Sequence, residues 1–114
     1  MALTTDQTAA AGAPPGRHPI GGREVSSDGH AVRLEDGTLA GSAATMDELV
    51  RRIAHLPGLF LSDAVSMAST TPADVLGETQ LGRLQVGHHA DIVILGADLR
   101  PRFTMVGGRT VFER

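Results

Sequence analysis

The sequence contains no cysteine, no tryptophan, no tyrosine and no lysine. Without cysteine it can form neither a disulfide framework nor a thiolate metal site, which fits a reducing compartment. The aromatic side chains are Phe60, Phe103 and Phe112. The residues that bury the largest areas are therefore scarce, and they fall in two separate regions of the chain. All ten basic residues are arginine, a compositional bias from which no function follows. Thirteen acidic residues bring the formal net charge to -3, so the concentrated positive charge of a nucleic-acid binder is missing. The longest strongly apolar run, Ile92 to Leu95, is far below the roughly 20 residues of a bilayer span. The N-terminus also lacks the basic-then-apolar pattern of a secretory signal. The expectation is a cytoplasmic chain that binds neither nucleic acid nor membrane, and 114 residues suffice for one small domain.

What is present divides into blocks. Residues 1–22 are rich in Ala, Thr, Gly and Pro, which predicts a loop with no core of its own. Between Arg23 and Leu39, the pairs Asp28-Gly29 and Asp36-Gly37 bound the alternating stretch His30 to Glu35, and this predicts a short hairpin. Met46, Leu49, Val50, Ile53 and Ala54 recur at the spacing of one helical stripe, with Thr45 and Glu48 as a capping-box pair and Pro57-Gly58 as the stop. Ser62 is expected to cap a second helix over Asp63 to Ser69. Pro72 is expected at the first position of a third, ended by Gly77. Beyond Gly82 the pattern turns to strands. Arg83 to Val86 alternates, and Ala90 to Leu95 ends in a β-branched run of the kind covered on both faces. Arg102 to Val106 and Arg109 to Glu113 flank Gly107-Gly108 as a hairpin. One small helical block can cover only one face of such a sheet, so the chain reads as part of a larger arrangement.

Three stretches carry a resemblance. Asp36-Gly37-Thr38-Leu39-Ala40-Gly41-Ser42-Ala43-Ala44-Thr45-Met46-Asp47, an amphipathic helix and Pro72-Ala73 resemble the end of the N-acetylglucosamine-6-phosphate deacetylase family, within the amidohydrolase superfamily. Gly82-x-Leu84-x-Val86-Gly87-x-x-Ala90-Asp91-Ile92-Val93 is similar to a signature of the wider superfamily, where the chain returns to a small β-sandwich beside the barrel. Thr5-Asp6-Gln7-Thr8-Ala9-Ala10-Ala11-Gly12 resembles the segment after the eighth barrel strand. Gln7 and Ala10 depart from that pattern, where small residues and a Pro are usual. The resemblance runs from about Leu3 to Phe112 and implies an α/β chain. Residues 1–77 would be the last βα unit of a metal-dependent hydrolase TIM barrel, and residues 78–114 the closing strands of the β-sandwich. It also implies catalysis by Asp6 and backbone contacts to an amino-sugar phosphate from Leu39, Ala40 and Gly41. A divalent metal, zinc or similar, belongs to the parent family, whose ligands have no counterpart in this chain.

Chemistry limits what one such segment can do. Hydrolysis of an unactivated acetamide at neutral pH needs an activated water, an electrophile on the carbonyl and a carboxylate that carries the proton to the leaving amine. Asp6 supplies one of the three. On residue chemistry alone, Asp6 in a Thr-rich loop reads as a turn or cap residue, and Gly41-Ser42 before a helix as a cap with an anion site as its alternative. His88 and His89 are adjacent on an extended chain and point apart, so they read as loop residues, while His18, His30 and His55 have no ligand spacing. The implied function is the C-terminal segment of a hydrolase acting on N-acetylglucosamine 6-phosphate, inactive alone. The alternative within the class is the N-acetylgalactosamine 6-phosphate enzyme. The alternative outside it is a non-catalytic remnant or interaction module, docked onto a partner chain that bears the barrel.

Overall fold

Short turns set the first part of the chain. In the computed structural model, which describes Met1–Arg114, the element order is β1 (Gly16–Ile20), β2 (Arg23–Ser27), β3 (Ala31–Leu34), β4 (Leu39–Ser42), α1 (Met46–Ala54), α2 (Leu61–Ala68), α3 (Thr70–Leu76), β5 (Ile92–Leu95), β6 (Pro101–Val106) and β7 (Arg109–Glu113). This is a mixed α/β chain with two antiparallel sheets. Its contacts divide it into a unit over Thr4–Met46 and a unit of Met1–Leu3 with Asp47–Arg114. No helix is long and apolar enough to cross a membrane.

In the first unit, β1 to β4 form a meander in sequence order. Both Asp-Gly pairs make turns as expected. Asp28 Oδ1 accepts the backbone N–H groups of Ala31 (2.7 Å) and His30 (2.8 Å), and Asp36 Oδ1 accepts that of Thr38 (2.9 Å). These bonds favour the ionised carboxyl groups and hold both below the usual aspartate range. Val25 pairs with Leu34 and Ser27 with Val32 across β2 and β3, which places one alternating face inward. There, Val25, Val32, Ala10 and Ala43 form a core with Ile20 and Leu34 against it.

Two expectations need correction here. Residues 1–22 are not coreless loop, because β1 pairs with β2 around Gly21-Gly22 and the Ala10 methyl group is fully buried. The hairpin predicted over Arg23 to Leu39 is the middle of a four-stranded sheet. Its outer strands are short and Gly- or Pro-bearing, and they form through pairing rather than propensity.

In the second unit, α1 follows the predicted stripe, ends at Ala54 ahead of the Pro57-Gly58 stop, and buries Val50. Arg51 on its other side reaches Asp47 (3.7 Å) and Glu48 (4.0 Å). α2 starts at Leu61 with Phe60 as its cap, two residues earlier than a cap at Ser62 would place it. Asp63 Oδ2 accepts the Phe60 backbone N–H at 2.8 Å and turns the chain there. Pro72 is the third residue of α3 instead of the first, still within the turn whose N–H groups have no helical partner. α3 ends at Gly77, in the left-handed conformation at φ 73°, as expected. α2 and α3 bury Ala64 and Ala73.

Arg83 to Val86 is not a strand. Thr70 Oγ1 donates to the Gly82 carbonyl (2.7 Å), and Arg83 Nη2 donates to both carboxylate oxygens of Asp74 (2.8 and 2.9 Å). The segment is thus tied to α3. β5 begins at Ile92 and forms one edge of the β5-β6-β7 sheet, with Val93 and Ile94 each 54% exposed, so within this chain the apolar run is not covered on both faces. The β6–β7 hairpin turns on Gly107 and Gly108 as predicted, at φ 54° and 77°. Val32 is the largest fully buried side chain anywhere, and full burial of a valine contributes about 1.5 to 3 kcal/mol. With alanines making up most of the remaining core, neither unit has much apolar burial. Val75, Leu76, Leu84 and Val86 stand largely in solvent.

Candidate functional site

The segment around Asp6 is shaped by its threonines. Thr5 Oγ1 accepts the Gln7 backbone N–H (3.2 Å) and Thr8 Oγ1 accepts that of Ala10 (3.3 Å), so hydroxyls two residues back fold the chain locally. Between them Asp6 adopts φ 49°, a left-handed conformation that costs most residues about 1 to 2 kcal/mol and that Asp tolerates better. The segment is then held to β4. Ser42 N–H donates to the Asp6 carbonyl at 2.8 Å and Thr8 N–H donates to the Ser42 carbonyl at 2.8 Å, a parallel bridge of Gln7 with Ser42.

This pairing brings Asp6 beside Gly41, 35 positions later. A Cβ on Gly41 would lie 2.6 Å from Thr8 Cγ2, 3.0 Å from the Asp6 carbonyl oxygen and 3.7 Å from Asp6 Oδ2. Gly41 also sits at φ 139°, which L side chains rarely adopt. Glycine is required there twice over. Leu39 and Ala40 lie on the same strand and are exposed, Leu39 at 60%, while Gly41 is buried. The β3–β4 register pairs Val32 with Gly41 and Arg33 with Leu39, so Ala40 is the extra residue of a bulge. A bulged residue is left out of the ladder, and its backbone groups are free for another partner.

All four expected site residues, Asp6, Leu39, Ala40 and Gly41, therefore meet in the Thr4–Met46 unit. Thr8 and Ser42 belong to the same constellation, and of the two Thr8 was not singled out from the sequence. A Thr two residues after an Asp is a common turn pattern, and only the pairing of distant segments shows what it touches. The Ser42 hydroxyl is engaged in a local turn, accepting the Ala44 N–H (2.8 Å) and donating to the His30 carbonyl (3.3 Å); α1 begins only at Met46, so Ser42 turns the chain ahead of the helix and does not cap it.

The imidazoles are bound to backbone. Ring N–H groups of His18, His55 and His88 donate to the carbonyls of Pro14 (2.9 Å), Arg51 (2.6 Å) and Thr79 (2.9 Å). His88, expected as a solvated loop residue, is half-buried because the loop folds back on Thr79 and Gln80. No group of three or more His, Asp or Glu side chains converges so as to hold a metal ion. An open groove of about 330 Å³ in the other unit is lined by Asp47, Arg100, Pro101, Thr104, Phe112 and Arg114, and includes none of the expected site residues.

Residues 5–111 match the amidohydrolase family. The chain is 37% identical over its full length to the N-acetylglucosamine-6-phosphate deacetylase of Danio rerio, of which it spans 29%. It is 38% identical over 96% of its length to the N-acetylgalactosamine-6-phosphate deacetylase of Escherichia coli O157:H7, again spanning 29% of that protein. Among solved structures, it is similar to an Asp-to-Ala mutant of N-acetyl-D-glucosamine-6-phosphate deacetylase from Mycobacterium smegmatis in complex with N-acetyl-D-glucosamine-6-phosphate. The TM-score is 0.84 and the identity 33%, over 96% of this chain and 30% of that one. The chain thus spans about three tenths of the length of these three relatives.

Proposed function

The chain belongs to the amidohydrolase family, and on that basis we propose that it is the C-terminal segment of a cytoplasmic hydrolase that deacetylates N-acetylglucosamine 6-phosphate in amino-sugar catabolism. The products are glucosamine 6-phosphate and acetate. The observation that carries the reading is the seat of Asp6, whose backbone is held by Ser42 in a left-handed turn against the buried Gly41 and next to the bulged backbone of Leu39 and Ala40. The names of the relatives supply the substrate class.

In this reading Asp6 takes a proton from the water that attacks the acetamide carbonyl and delivers it to the departing amine nitrogen. One group serves both transfers, first as base and then as acid. Leu39, Ala40 and Gly41 orient the sugar through backbone N–H and C=O groups. Residues 1–77 are the last βα unit of the barrel, and residues 78–114 are the closing strands of the satellite sandwich. An active site of that barrel is assembled from the ends of several strands.

A divalent metal does not fit the residues present, since no set of donors converges in this chain. Its ligands, and the groups that clamp the phosphate, are assigned to the part of the relatives that the chain does not span. The galactosamine 6-phosphate epimer is the alternative substrate, supported by the second relative. A second reading, a non-catalytic remnant or interaction module docked on a barrel-bearing partner chain, is supported by the exposed Val75, Leu76, Leu84 and Val86.

The isolated chain is expected to release no acetate from N-acetylglucosamine 6-phosphate and to bind no zinc at micromolar concentration. Acetate-coupled assay and calorimetric titration check this, and stoichiometric zinc binding or multiple turnover would contradict it.

A further inference from the structure

We propose that the Thr8 hydroxyl is a positioning group for Asp6, holding its left-handed turn through the Ser42 carbonyl. The inference rests on the reading of Asp6 as the proton carrier, but its geometry stands apart from that reading. Thr8 Oγ1 donates to the Ser42 carbonyl (3.3 Å) and accepts the N–H of Ala10 (3.3 Å). The same carbonyl takes the Thr8 backbone N–H, and the Ser42 N–H holds the Asp6 carbonyl. Two bonds in different directions select one χ1 rotamer of a β-branched side chain. In that rotamer the Cγ2 methyl faces Gly41, 2.6 Å from the point a Cβ would occupy, and Asp6 Oδ2 lies 3.7 Å from the same point. The methyl and the carboxylate flank one small space that only glycine leaves open. The hydroxyl braces Ser42, and Ser42 holds the left-handed turn at Asp6, so the methyl lies beside Gly41 without being needed for the turn.

Valine and serine separate these parts. Thr8→Val keeps the shape and removes both hydroxyl bonds, leaving the Ala10 N–H without its acceptor. Thr8→Ser keeps both bonds and removes the methyl. The test is nuclear magnetic resonance on the full 114-residue chain. It reads the Asp6 three-bond HN–Hα coupling and Cα shift, which report φ, together with amide exchange at Ser42.

Thr8→Val should move the Asp6 signature away from the left-handed region and speed Ser42 exchange about tenfold, the effect of one lost hydrogen bond. Thr8→Ser should retain both readouts. A residue that only fills space would give the reverse, with Val silent and Ser disturbed, and that result would overturn the proposal. An unchanged Asp6 signature in Thr8→Val would overturn it as well. Should Thr8→Val fail to fold, Thr8→Ser decides alone, retention supporting the hydroxyl and loss refuting it. Because neither readout uses turnover, failure of the catalytic reading of Asp6 would leave this result standing, and failure of the Thr8 inference would leave Asp6 untouched.

Discussion

Replacing Asp6 with Asn, in an enzyme whose remaining portion is supplied by fusion or co-expression with a relative, should lower kcat by about 10²- to 10⁴-fold, toward the upper end because one carboxylate makes both proton transfers. KM should change little. Asn matches Asp in size and can keep φ 49°, since Asn and Asp are the side chains that tolerate the left-handed region, so the seat against Gly41 survives while proton acceptance is lost. An interaction made only in the transition state lowers kcat and kcat/KM together, and steady-state kinetics distinguishes that from weaker binding. Leu39→Ala in the same enzyme should be milder, because that residue is assigned a backbone contact and its side chain is exposed. Retention of kcat within about threefold in Asp6→Asn, far below any general-base contribution, would leave the N-terminal match as a loop resemblance only.

The largest structural effect is expected at Gly41. Gly41→Ala places a methyl group 3.0 Å from the Asp6 carbonyl oxygen and 2.6 Å from the Thr8 methyl, at a backbone angle of φ 139°. Backbone strain and overpacking each cost about 1 to 3 kcal/mol, so the Thr4–Met46 unit should lose about 2 to 6 kcal/mol. That is a large share of the stability of any small domain, and the core beneath is built of two valines and two alanines. Gly37→Ala is the control, since Gly37 also has positive φ, 84°, but nothing lies within 4 Å of its added Cβ. Its cost should be near the 1 to 2 kcal/mol, roughly, of a left-handed residue alone. Hydrogen exchange at Thr8 and Ser42 reads the difference. Equal losses in the two variants would show that Asp6 does not approach Gly41 as closely as described.

The parts that were legible in the sequence are those governed by local rules. α1 follows from a five-residue apolar stripe, the β6–β7 hairpin from two adjacent glycines that accept positive φ, and the turns at Asp28 and Asp36 from side chains that bond backbone two residues ahead. β1 and β4 were not legible, because Gly16-Arg17-His18-Pro19-Ile20 and Leu39-Ala40-Gly41-Ser42 have little strand propensity and exist by pairing with better strands. Arg83 to Val86 has the alternation of a strand, yet Asp74 and Thr70 on α3 bind it first. Tertiary contacts overrode the local pattern there.

The site divides in the same way. Asp6, Leu39, Ala40 and Gly41 were marked by resemblance to a family, while residue chemistry read Asp6 as a turn residue. It is a turn residue, with its backbone held beside Gly41. Thr8 was out of reach because its meaning depends on Ser42, 34 positions away, and no periodicity spans that distance.

The most direct measurement is acetate release from N-acetylglucosamine 6-phosphate by this chain co-expressed with the portion of a deacetylase relative that lies outside the 29% it spans. The account predicts no turnover from either piece alone, turnover from the pair, and its loss when the pair carries Asp6→Asn. Full activity of the relative's portion without this chain, or an inert pair whose pieces are shown to associate and fold, would contradict it.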